Sequence, residues 1–181
     1  MSRNESIIST VPDVGGGDAS CDLKDDYTVV SGSPITLADS SSTIWVACKF
    51  VPTANYSACK VELEMWENGS PQSAGYLTNF LYSDSGGSPG TQLAVADYPI
   101  RHSELPNTSG TLTNYTFASP VSLTSGSTYW LVMRSSFSSG SINWRVQSTP
   151  NNGDFFVKSS ANGSTWANYS VRQFNARIYG Q

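Results

Sequence analysis

The residues with the most chemistry in them are few. A single histidine, His102, stands in the run IRHSELP, with Glu104 two positions on. Serine is abundant, but no neighbouring base marks any serine as an activated nucleophile, and His102 reads as a solvated loop residue. Glu62, Glu64 and Glu67 share one alternating stretch and could pass for the paired carboxylates of glycoside hydrolysis. Glu62 and Glu64 fall on its polar face, where they serve to solvate a sheet. With so few His, Asp and Glu, no catalytic set emerges, and the expectation is a protein that is not an enzyme. No residue set implies a cofactor. Asp84 in SDSGGSPG lacks acidic partners at the spacing of a calcium loop. Asp97 or Asp154 could join a structural calcium site from separate loops.

Aromatic side chains are the other chemistry. Flat rings offer apolar area with a polar handle, the surface on which a pyranose ring stacks. The candidates for glycan contact are Trp45, Trp66, Trp144, Trp166 and Tyr169. Trp45 and Trp66 lie opposite the inward set of their strands, and Trp166 sits in a polar loop. The competing role for each is to fill the core or clamp a loop.

These residues need positioning elements, and the chain offers strands. It has 181 residues, of which 12% are aromatic and 13% charged. That charged share is about half the usual ~25%. Ser, Thr, Gly and Asn replace the charges, which suits short strands and polar turns. The net charge of −4 and the lack of a basic cluster argue against nucleic-acid binding. No apolar run approaches the ~18 residues of a membrane span.

The organising stretch is Thr116–Arg134. It reads as two strands joined by Thr124–Ser127, with Gly126 supplying a positive φ, so a hairpin is expected at the centre of the core. Tyr129–Met133 is apolar on both alternating faces, which places it mid-sheet or covered on both sides. In 43–51, Ile44, Val46, Cys48 and Phe50 face one way, and Trp45, Ala47 and Lys49 the other. In 58–67, Cys59, Val61, Leu63 and Met65 point in, while Lys60, Glu62 and Glu64 point out. These two stretches read as an antiparallel hairpin with one wet face. Gly86, Gly87, Pro89 and Gly90 make Ser83–Thr91 a loop. Ten or so short strands and no helical period define an all-β antiparallel sandwich, jelly-roll-like.

Three cysteines, Cys21, Cys48 and Cys59, form no even framework. Cys48 and Cys59 read as buried thiols; a bond between them would need Cα atoms within ~7 Å. Residues 1–26 are acidic, carry Gly15-Gly16-Gly17, and read as a flexible, extended N-terminal arm. Residues 27–181 form the sandwich domain.

Several stretches in order carry a resemblance: CKFVPTANYSACKVELEMW (Cys48–Trp66), LYSDSGGSPGTQLA (Leu81–Ala94), FASPVSLTSGSTYWLVM (Phe117–Met133), SSANGSTW (Ser159–Trp166) and FNARIYG (Phe174–Gly180). Over roughly residues 40–180 the chain resembles the choice-of-anchor R type of β-sandwich domain. That resemblance implies a fold similar to carbohydrate-binding modules, as found in tailed-phage structural proteins and bacterial surface proteins. The chain opens on Met-Ser with no signal-peptide core and closes on Tyr179-Gly180-Gln181 without a sorting segment. The expectation is therefore a phage virion protein, a capsid decoration or fibre-like protein. Its arm would dock on other virion proteins such as the major capsid protein, and its sandwich would meet host or mucosal glycans. A homo-oligomer is compatible with this reading. The alternative is a carbohydrate-binding adhesion module at a bacterial cell surface or secreted.

Overall fold

Alternating apolar and polar residues with β-branched and aromatic enrichment give strands here, and Gly/Ser/Pro clusters end them. The computed structural model describes residues 20–28, 34–37, 45–67, 75–136, 142–147, 156–171 and 173–181. The strands are β1 (Asp22–Asp26), β2 (Pro34–Leu37), β3 (Trp45–Phe50), β4 (Tyr56–Glu67), β5 (Tyr76–Asp84), β6 (Pro89–Val95) and β7 (Ile100–Arg101). A 3₁₀ turn, His102–Glu104, precedes β8 (Leu112–Leu123), β9 (Tyr129–Ser135), β10 (Ile142–Gln147), β11 (Phe156–Ser160), β12 (Ala167–Val171), β13 (Gln173–Phe174) and β14 (Ala176–Gly180).

Two antiparallel sheets form a β-sandwich. The first runs β1-β14-β4-β10-β13, with β8 also on β4 and β2 also on β10. The second runs β12-β11-β3-β9-β5-β6, with β7 on β5. Between them lies one core that includes Val46, Phe50, Leu63, Tyr115, Leu131, Trp144, Phe174 and Ile178. Full burial of each large apolar side chain is worth roughly 1.5–3 kcal/mol, and this layer holds the sheets together.

The expected central hairpin is not a hairpin. β8 pairs with β4 in the first sheet, while β9 lies between β3 and β5 in the second. Residues 124–128 therefore cross from sheet to sheet. The mid-sheet position of β9 is what its two apolar faces demand: Leu131 and Met133 face the core, Trp130 and Val132 the other side. The pair β3 and β4 is likewise split between sheets, so residues 51–55 form a second crossing. The two crossings dock on each other. Gly126 N–H donates to the Pro52 carbonyl at 3.1 Å, and Ser125 N–H to Asn55 Oδ1 at 2.8 Å. Gly126 takes the positive φ expected of it, 76°.

The phase of β4 also shifts. Both of its pairings slip at Cys59, a β-bulge that leaves this residue unpaired in the ladder. Ala58 and Val61 thus both face the core, and Cys59 does not join it. Instead Cys59 is bonded to Cys21 across a Cα–Cα distance of 6.2 Å, and Cys48 is the buried free thiol. An odd cysteine count concealed one disulfide and one apolar-packed thiol.

The bond fastens the strand that follows Cys21. Asp22–Asp26, read as the end of the arm, is an edge strand on β14. Asp25 is buried there and accepts hydrogen bonds from Tyr56 Oη at 2.5 Å and Thr53 Oγ1 at 2.6 Å. Burial and the Asp25 carboxylate push the Tyr56 phenol well above its ordinary pKa. Residues 1–19 lie outside the described residues.

Candidate functional site

The two sheets turn very different outer faces away from the core. On the second sheet, Ala47, Phe80, Trp130 and Val132 form a small buried cluster of their own. Trp45, Tyr82 and Trp166 pack over it, each partly exposed. The Trp45 and Phe80 rings lie 5.4 Å apart, and Phe80 meets Tyr82 edge-on at 6.2 Å. The Arg134 guanidinium stands 5.3 Å from the Trp45 ring. Exposed Leu93 and Val95 on β6 flank this face.

Two local devices hold the platform. Trp130 Nε1 donates to Asp84 Oδ1 at 2.8 Å, and the other carboxylate oxygen accepts from Gly87 N–H at 3.0 Å. Asp84, weighed as a cation ligand, here ties the β5–β6 turn to the buried indole. The second device is the loop 161–166. Ser160 Oγ accepts from the backbone of Asn162 and Gly163, and Asn162 Oδ1 from that of Ser164 and Thr165. These side-chain-to-backbone bonds make a compact turn of a stretch that reads as a long polar loop. Gly163, at φ 75°, lies flat on Trp45; a Cβ there would sit 2.8 Å from the indole.

The structure brings together Trp45 and Trp166 from the sequence candidates. Trp144 is elsewhere: it is fully buried between the sheets against Phe174, where no ligand reaches its ring. Trp66 lies on the first sheet's outer face, with the Arg145 guanidinium 5.3 Å from its ring. Tyr169 is placed on β12 by its backbone, and its side chain lies outside the described residues. So does Asp154.

The first sheet's outer face is polar and cross-linked. Lys60 pairs with Glu62 at 2.9 Å, and Tyr179 Oη donates to Glu62 at 2.8 Å. Burial alone would raise the Glu62 carboxyl, but these hydrogen bonds and the Lys60 and Arg177 charges outweigh it and lower its pKa. Asp26 is lowered on balance too: burial opposes it, while Thr28 and Arg177 win.

Glu64 does not solvate the sheet as expected. It is 5% exposed and accepts from Arg145 Nε and from Gly110 N–H, each at 2.6 Å, and from Asn175 Nδ2. No sequence signal marks this group, because Gly110, Arg145 and Asn175 are 46, 81 and 111 residues from Glu64 and meet it only through the fold.

His102 is likewise not solvated. It is 1% exposed on the 3₁₀ turn, with Nδ1 4.0 Å from Glu67 Oε1. Gly86-Gly87-Ser88-Pro89-Gly90 spells the pattern of a nucleophile elbow. Its first three residues lie in the turn between β5 and β6 and its last two open β6, with Ser85 and Ser88 bonded backbone to backbone. An elbow requires a strand-to-helix turn, and this is strand to strand. Among the described residues, no three His, Cys, Asp or Glu side chains converge as a metal site.

The chain matches no model of a known protein family, and no curated protein is significantly similar to it.

Proposed function

We propose that this chain is a non-enzymatic structural protein of a tailed-phage virion surface, a capsid decoration or fibre-like protein that presents its sandwich outward. The observation that carries the display role is the backed aromatic platform on the second sheet. Trp45, Tyr82 and Trp166 stay partly exposed while Phe80, Trp130 and Val132 beneath them are buried. A rigid support lets exposed rings meet a sugar with little loss of side-chain freedom. The ligand is a host or mucosal glycan, held weakly through ring stacking.

The segment before β1 leaves from an edge strand fastened by Cys21–Cys59. Tension on a docked arm would be carried through that bond into β4. Its partner is another virion protein such as the major capsid protein.

One observation supports a second reading beside the first. A disulfide persists in oxidising surroundings, which suits a bacterial surface or secreted carbohydrate-binding module as well as a particle released by lysis. Mass spectrometry of purified particles separates the two. The virion reading expects this chain at a fixed copy number per particle. Its absence from particles, with the chain recovered at a bacterial surface, would overturn that reading.

A further inference from the structure

A pocket of about 430 Å³ opens on the outer face of the first sheet, lined by Glu64, Leu112, Arg145, Asn175 and Arg177 among others. Its volume lies within the ~300–1,000 Å³ of small-molecule sites. Three polar groups meet there in fixed positions, because Glu64 is held at once by Arg145, by the Gly110 amide and by Asn175. Asn175 is 3% exposed, and its Oδ1 has no hydrogen-bond partner among the described residues. Closed off from solvent without a partner, that acceptor is costly, and a turn of the Asn175 side chain toward the pocket would let a ligand hydroxyl relieve the cost.

The charge count selects the ligand. Glu64, Arg145 and Arg177 are the charged residues of the lining; Glu64 pairs with Arg145, and Arg177 with Asp26 and Glu62 outside the pocket. An ionised ligand would find no surplus charge to answer it. Hydroxyl groups, each both donor and acceptor, match a carboxylate, a guanidinium and an amide oxygen. Leu112 adds an apolar wall, and Trp66 lies beyond Arg145.

We infer that this pocket binds one neutral sugar unit, separately from the aromatic platform on the other sheet. The inference does not rest on the virion reading, nor on glycan contact at Trp45 and Trp166.

The test is an ¹⁵N NMR titration of the full chain with glucose, galactose and mannose, and with glucuronate and sulfate as charged arms. At least one neutral sugar should shift the Gly110 amide, the Arg145 Nε–H and the Asn175 side-chain amide, with Kd on the order of 1–10 mM. Leu112→Trp fills the pocket wall without touching a hydrogen bond, and should weaken binding at least tenfold. Glu64→Gln should do the same where it folds, and Trp166→Ala should leave these shifts unchanged. Three results would overturn the inference: shifts with glucuronate or sulfate alone, no shift with any sugar, or equal shifts in folded Leu112→Trp.

Discussion

The outer face of the second sheet is built like a core, and that of the first like a surface. On the second, apolar residues of β3, β5 and β9 continue outward into a buried cluster, and a stapled loop presses down on it. On the first, Lys60, Glu62, Glu64, Arg145 and Arg177 form a charged lattice above the same kind of strands. Aromatic contacts resist salt and acid and hold their shape. Charge networks order hydrogen-bond donors and acceptors but depend on protonation. The contrast shows how one sandwich can offer a stacking surface on one side and a polar pocket on the other.

The largest effect should come from the platform's support. Trp130→Ala removes a fully buried indole and its bond to Asp84, and should cost about 3–5 kcal/mol in urea denaturation. Trp66→Ala, partly exposed on the opposite face, should cost about 1 kcal/mol or less. Equal losses would erase the distinction between the faces. Next comes the disulfide, which closes a separation of 38 residues. Its loss in Cys59→Ser should cost about 3–4 kcal/mol on the chain-entropy account. Amide exchange should quicken first in β1 and β14, with the second sheet last.

Gly163→Ala should act on the platform alone. The added methyl must displace Trp45 and strains a positive φ, so a loss of about 1–2 kcal/mol and a change in tryptophan emission are expected. The smallest effect is acid sensitivity of the first face. Asp26 and Glu62 have lowered pKa values in the folded chain, so their contribution is complete above the unfolded carboxylate range. It is lost as pH falls below about 4. Urea midpoints should therefore drop between about pH 5 and 3, and Arg177→Ala should flatten that slope.

The fold class and the faces of β3 and β9 were readable, because alternation is a local property. Trp45 and Ala47 face opposite to Val46, Cys48 and Phe50, as their spacing requires. Which strands pair was not readable, because both a hairpin turn and a sheet-to-sheet crossing can be four or five polar residues long. Thr124–Ser127 is of the second kind. The bulge at Cys59 was hidden too: strict alternation puts that residue inward, and only two slipped ladders show otherwise. At the site, Trp166 in its loop was legible as a polar stretch carrying a partly exposed ring. The group around Glu64 was not, since Arg145 and Asn175 arrive from strands far along the chain.

Glycan recognition by the aromatic face of the second sheet is what we propose for this chain. The direct measurement is a glycan array on the intact chain beside Trp45→Ala and Trp166→Ala, each checked for folding. Retention of specific glycans by the parent chain, lost in both variants, is the predicted result. A folded parent that holds no glycan, or variants that hold the same glycans equally well, would contradict it.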